Sequence, residues 1–298
     1  MANALASLAG LLKDPPPDYA FELAPGHLAV ARTGKSPEIQ AREMEPDVLS
    51  VHPLRDNVLR PEALAAHIRA VAPGNGSRKR RTAALILPDY CVRVAVLDFD
   101  AFPSDPKEQL SLIRFRLKKS LPFDVEAAAT SYFVQHGSNT KRVDVVAAVA
   151  PLEIVARYEA PFRSCNFQVG LLTTATLAAL ELVPAGGVKL LVKRSGSVLS
   201  LAAVERGSLR LIRSMDLSGA GFTEVLAELY PTLAYVEDQL AAKPDQMLLC
   251  GFGPSTQEAQ SLFESELGVP AAPVTSRFGP TSEFNAGLLG YLESREEF

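Results

Sequence analysis

Read for hydrophobic and polar periodicity, the chain predicts a meander of strands followed by alternating helices and strands, and then the same plan again. Residues 19–23 and 27–32 read as strands joined by the turn Ala24-Pro25-Gly26, and residues 33–37 turn into a polar third strand or loop. Residues 61–71 place Leu64, His67, Ile68 and Val71 at helical spacing, with Pro61 at a first helical position. Residues 83–87 are a short continuous apolar run, as a strand covered on both faces requires. Residues 93–97 predict a strand and 104–120 a helix, with Ser104 as its cap and Leu110, Ile113 and Leu117 as its buried stripe. Strands at 129–135 and 143–149, a helix at 151–165, a strand at 168–172 and a helix at 174–182 complete the first half.

After Ala185-Gly186-Gly187 a second meander occupies 189–193, 198–205 and 209–215, with turns at Ser195-Gly196 and Arg206-Gly207. Helices follow at 221–240, 256–267 and 285–295, with a strand at 246–250. The pattern is a structural repeat without sequence repetition.

At about 150 residues per domain, 298 residues agree with two domains. An apolar share of 47% with 21% charged residues excludes a disordered chain. A formal net charge of −4 and the lack of aromatics interleaved with basic residues argue against a nucleic-acid binder. Cys91, Cys165 and Cys250 lie far apart with no C-x-x-C, so each reads as a small hydrophobe of a reduced, cytosolic protein rather than a disulfide or zinc ligand. The longest weakly charged apolar stretch, 169–182, contains three threonines and Glu181 and is too short to span a bilayer. Residues 1–12 carry Leu5, Leu8 and Leu12 on one helical face, but Lys13 follows them, the reverse of a secretory signal. They are expected to pack on the protein or fray, a partner or membrane surface being the alternative.

Little local chemistry stands out. Gly34-Lys35-Ser36 lacks the glycine five residues earlier that a P-loop needs, because Ala29 stands there, and Pro37 follows; a hairpin turn is the better reading. His27, His52, His67 and His136 are scattered, and His67 reads as a satisfied core or edge residue. No G-x-S-x-G or H-E-x-x-H is present. The run Arg78-Lys79-Arg80-Arg81 and the pair Lys118-Lys119 read as a solvated loop and a helix end, with anionic lipid or an acidic partner as the functional alternative.

The duplicated meander-plus-helices plan, with an insertion at about 90–150, resembles the actin-like ATPases. Within them it is similar to FtsA and to the type IV pilus assembly protein PilM family. The most specific local match is Leu121-Pro122-Phe123-Asp124, an acidic and small-residue stretch then leading to Tyr132. Asn166-Phe167-Gln168-Val169-Gly170, Gly251-Phe252-Gly253-Pro254-Ser255 and Asn285-Ala286-Gly287-Leu288 resemble further family segments, in the family's order. The resemblance spans 19–292. It implies an α/β, ribonuclease H-like, duplicated bilobed fold. Residues 1–18 would be an extension and linker, 19–184 a first lobe carrying the small α+β insertion, and 185–298 a second lobe.

The same resemblance places vestigial nucleotide loops at Glu22, Gly26, Gly196, Gly251 and Gly253. Actin-like ATPases hold phosphate with two D-x-G hairpins, which need unobstructed backbone N–H groups and a carboxylate for Mg²⁺. Here the first hairpin reads Glu22-Leu23-Ala24 before Pro25, which has no N–H, and the second reads Lys193-Arg194-Ser195 before Gly196. No catalytic or metal residues and no cofactor are therefore expected. The function implied is a non-catalytic cytosolic scaffold of a type IV pilus or related secretion machine, peripheral to the inner membrane through its partners. It would dock the short cytosolic tail of a PilN-type membrane protein near residues 83–123. The alternative is an actin-like ATPase that binds ATP and Mg²⁺ as a switch. A membrane-tethered FtsA-like filament former would want a basic amphipathic C-terminal helix, whereas this chain ends Glu293-Ser294-Arg295-Glu296-Glu297-Phe298.

Overall fold

The computed structural model of the chain describes residues 17–34, 36–74, 76, 79–135, 142–217 and 221–295. The chain divides after Thr174 into two compact units. In the first, β1 (Tyr19–Ala24), β2 (His27–Arg32) and β3 (Glu38–Glu43) form the meander. β4 (Arg81–Leu87) and β8 (Phe167–Thr174) then add in parallel, giving the order β3-β2-β1-β4-β8. In the second, β9 (Val188–Ser195), β10 (Val198–Glu205) and β11 (Ser208–Asp216) form the meander. β12 (Gln246–Cys250) and β13 (Ala271–Pro273) complete the order β11-β10-β9-β12-β13. The two orders are the same, so the repeat read from periodicity is a repeat of topology. β13 is absent from the sequence reading, because three residues are too few to show a period.

The first unit holds the helices α1 (Pro61–Val71) and α3 (Leu152–Ser164) beside its sheet, and the second holds α4 (Ala175–Ala179), α5 (Phe222–Leu240), α6 (Thr256–Leu267) and α7 (Ala286–Ser294). Alternation fixes which side chains meet them. Phe21, Leu23, Leu85 and Leu87 point into one core with Leu64, Ile68, Tyr158 and Phe162, while Ala20, Glu22, Ala24 and Ile86 occupy the opposite, also buried, face. In the second unit Leu190, Val192, Leu201 and Leu249 pack with Val225, Leu229 and Phe263. α7 lies so close to α4 that a Cβ on Gly290 would sit 2.1 Å from the Ala178 carbonyl oxygen.

The insertion follows β4. It is the antiparallel sheet β5-β7-β6, made of β5 (Arg93–Phe99), β6 (Ala128–Gln135) and β7 (Val143–Pro151), under the helix α2 (Pro106–Leu117). Ile113 and Leu117 of α2 are buried with Phe99, Val125, Val145 and Ala147. The cap of α2 is Asp105, whose carboxylate accepts the Lys107 N–H at 3.2 Å, and not Ser104: Pro106 at the first helical position sets the start one residue later.

Three features singled out by sequence find their places here. Gly34 and Ser36 lie between the antiparallel strands β2 and β3, the hairpin setting expected of them; Lys35 and residues 1–12 are outside the described residues. His67 Nδ1 accepts from Arg42 Nε at 2.9 Å, which leaves Nε2–H to donate to Glu45 at 2.8 Å, and this bond holds the Glu45 carboxyl below its ordinary range. Arg81 departs from its reading as part of a solvated basic run. Its guanidinium donates to the carbonyls of Ala72, Pro73 and Cys165 at 3.0, 3.0 and 3.1 Å and lies 3.9 Å from the Phe167 ring centroid.

All three cysteines are buried thiols, none of them in a disulfide. Burial pushes the Cys91 thiol up to about 12 and raises the Tyr158 phenol of the same core as well. A folded-state pKa raised in this way favours the protonated native state. The contribution of Cys91 is whole below the unfolded value near 9 and is lost as pH rises toward 12, by up to about 1.4 kcal/mol per pH unit, and that of Tyr158 begins to be lost above its unfolded value near 10. The urea midpoint is therefore expected to be flat from pH 7 to 8.5 and to fall steeply above 9. Cys91→Ala with Tyr158→Phe should flatten that fall, and a midpoint constant through pH 11 would contradict it.

Candidate functional site

The site residues predicted on the second half assemble around the tip of the β9–β10 hairpin. The loop has two residues, Gly196 and Ser197, since Ser195 pairs with Val198. Gly196 has φ +59 and Ser197 does not share the left-handed region, the arrangement of a II′ turn, which suits strand twist and needs glycine first. Arg194 Nε donates to the Gly196 carbonyl at 3.1 Å. The Gly196 N–H donates to the Glu283 carboxylate at 3.1 Å.

Glu283 is held by the loop before α7. Asn285 Oδ1 accepts the Ser282 N–H at 2.7 Å and Asn285 Nδ2 donates to the Pro280 carbonyl at 3.1 Å, so one side chain folds this loop on itself. Cys250 Sγ, at the end of β12, lies 3.6 Å from the Ser282 carbonyl it donates to.

Gly251 closes the cluster. With φ +82 and a Cβ position 1.9 Å from the Arg194 carbonyl oxygen and 3.2 Å from the Glu283 Cα, it is the point where β12 passes under the hairpin tip. Phe252 next to it is driven into the core against Phe222 and Phe263, at centroid distances of 6.3 and 5.8 Å. Gly253 is different: its φ is +55, but nothing lies within 4 Å of a Cβ placed there. It opens a 3₁₀ turn, Gly253–Ser255, that leads into α6.

Lys193 takes the place that the resemblance assigns to a carboxylate. It is 1% exposed, on the face of β9 away from Leu190 and Val192, beside Ser200 of β10 and Cys250 of β12. Ser200 Oγ lies 2.8 Å from Ser214 Oγ, so Cys250, Lys193, Ser200 and Ser214 form one row across four strands. A buried ammonium is tolerated only where it is partnered, and Lys193 is engaged.

The first-half residues belong to the other unit. Glu22 is 1% exposed, in mid-strand between Ala29 and Ile86. The tip Pro25-Gly26 is a type II pair, with Gly26 at φ +76 and its carbonyl accepting the Met44 N–H at 2.8 Å. Thus Gly196 and Gly251 share one cluster, Gly253 stands at its rim, and Glu22 and Gly26 make a separate hairpin. Sequence reasoning misses Glu283: it lies 87 residues from Gly196, and no local pattern marks it. Among the described residues no group of three or more His, Cys, Asp or Glu stands where it could share a metal ion, and no helix is long and apolar enough to cross a membrane.

No family model matches the sequence, and no curated protein does. The fold has clear counterparts among solved structures. A chain of a PilM–PilN type IV pilus biogenesis complex matches with a TM-score of 0.78 at 19% identity, covering 95% of this chain and 100% of that one. A Bacteroides thetaiotaomicron protein with an actin-like ATPase fold and unknown function matches with a TM-score of 0.57 at 11% identity, over 93% and 96% of the two chains. Two sheets of identical order, an insertion after the fourth strand, and alignment over nearly the whole length of both relatives lead to one conclusion: this chain has the actin-like fold, in the form found in the type IV pilus complex.

Proposed function

We propose that the chain is a PilM-like, non-catalytic assembly protein of a type IV pilus or related secretion machine. It would act on the cytosolic side of the inner membrane and dock the short cytosolic tail of a PilN-type protein. The observation that carries this reading is the full-length match to a chain of the PilM–PilN complex. The second hairpin supports its non-catalytic half. A phosphate or Mg²⁺ site would need a free N–H at the tip and a carboxylate on the strand, but Gly196 N–H faces the chain's own Glu283 and the strand offers the buried Lys193. These residues do not fit a magnesium nucleotide.

The docking region of 83–123 narrows on physical grounds. Ala83 to Leu87 are at most 2% exposed and can touch no partner. β5 is an edge of the inserted sheet, bordered only by β7 among the described strands, and an extended tail can pair with such an edge.

The test joins two measurements on the whole chain. Calorimetry with a peptide copying the PilN-type tail of the same organism is expected to give saturable one-to-one binding, and millimolar ATP with Mg²⁺ to leave the melting temperature unchanged. Nucleotide at 100 times its dissociation constant would instead add about 2.7 kcal/mol of stability. That shift would restore the ATP-dependent switch, and absence of peptide binding would sink the scaffold reading.

A further inference from the structure

The outward face of α2 carries a feature that neither the nucleotide loops nor peptide docking uses. Ile113 and Leu117 fix the inward stripe of this helix, so Phe115, midway between them, points straight out and is 72% exposed. It is the most exposed large apolar side chain among the described residues. Lys118, which caps the helix with helical backbone angles, stands three residues on and shares this face, and the exposed Lys119 follows it. Lys107 and Ser111 border the face on the N-terminal side, and Glu108, two turns before Phe115, is its one acid.

Charge is concentrated here. From Pro106 to Ser120 there are five basic residues against one acidic, in a chain of net charge −4. Two of the five are committed within the protein: Arg114 pairs with Glu126 at 3.2 Å, and Arg116 with Asp98 at 3.6 Å while lying 5.4 Å from the centroid of the Phe99 ring. No carboxylate among the described residues is in ion-pair range of Lys107, Lys118 or Lys119.

We infer that this face of α2 contacts an anionic lipid surface directly, with Phe115 entering the headgroup region and Lys107, Lys118 and Lys119 meeting lipid phosphates. The inference goes beyond the proposed function and does not depend on it. Charge decides the occupant. An anionic bilayer attracts this helix and repels the otherwise acidic chain, which also orients the protein. The shape agrees: the face is a convex helix side with its ring standing in water, which suits a soft interface, whereas peptide recognition uses a groove or strand edge. The uncommitted charges are lysines, hydrated point charges suited to diffuse headgroups, and not the bidentate fork of arginine.

The chain contains no tryptophan, so Phe115→Trp installs a single reporter at the contact. Mixed with vesicles of phosphatidylcholine and phosphatidylglycerol at low salt, its emission is expected to shift to the blue and the protein to sediment with the vesicles. Pure phosphatidylcholine, or about 0.5 M salt, should abolish both. Lys118→Gln with Lys119→Gln, and separately Phe115→Ala, should weaken sedimentation at least tenfold without altering the melting temperature, since all three side chains are exposed. An unshifted tryptophan, or binding that survives these substitutions and so comes from another segment, overturns the inference. Lack of any binding to the acidic vesicles also overturns it and assigns the face to an acidic protein.

Discussion

Arg81→Ala is expected to lower the stability of the first unit by about 3–5 kcal/mol, the largest effect of any single substitution foreseen here. The guanidinium ties its own strand β4 to two other segments: it holds the carbonyls of Ala72 and Pro73 after α1, and that of Cys165 after α3. Each is a backbone acceptor at a helix end, where the helix itself leaves carbonyls without donors. Removing the donor leaves these acceptors underbonded at about 1–3 kcal/mol for each that stays buried, and it also removes the stacking on Phe167. Arg81→Lys keeps the charge but not the planar fork, so one ammonium cannot serve all three carbonyls and less than half of the loss should be recovered. Urea unfolding of the three proteins decides the matter. An Arg81→Ala protein within 1 kcal/mol of the parent would show that Arg81 is a solvated basic residue after all.

Gly251→Ala should cost about 3 kcal/mol or more, whereas Gly253→Ala should cost about 1 kcal/mol. Both glycines have positive φ, which a Cβ penalises by about 1–2 kcal/mol. Only Gly251 also has backbone in the way: the added carbon would lie 1.9 Å from the Arg194 carbonyl oxygen, and neither the β9 backbone nor the loop holding Glu283 can retreat without giving up hydrogen bonds. For a unit of this size the first substitution should lower the melting temperature by on the order of 10 °C. It should also speed amide exchange at Gly196. Equal effects at the two glycines would mean that φ alone matters and that the hairpin tip is not packed as described. The contrast also bears on ligand assays. Loss of nucleotide binding on changing Gly251 would report a broken fold, so Gly253, in open space, is the sounder position to probe.

Much of the architecture is legible in the order of residues. Short apolar-rich runs at 19–23 and 189–193 mark strands where β1 and β9 lie, and the continuous apolar run 83–87 announces β4 as a strand covered on both sides. Pro25-Gly26, Ser195-Gly196 and Arg206-Gly207 mark hairpins by the backbone angles that glycine permits. Where local chemistry competes, the reading slips by a residue, as when Pro106 rather than Ser104 sets the start of α2. The candidate site was legible only in part. Gly196 and Gly251 enter through the resemblance to the family's hairpin and loop segments, and Lys193 because it stands where that resemblance expects a carboxylate.

The sequence by itself determined the elements, their faces and the twofold plan, since each depends on side-chain spacing within one turn or a few strand residues. The tertiary structure decided what those elements meet. A run of four basic residues looks solvated until the fold turns Arg81 inward onto carbonyls that include one 84 residues away, and Glu283 is an ordinary loop acid until it reaches the N–H of Gly196. Periodicity carries no information about which distant segment will lie opposite, because that is set by how whole sheets and helices pack and not by any short stretch of chain.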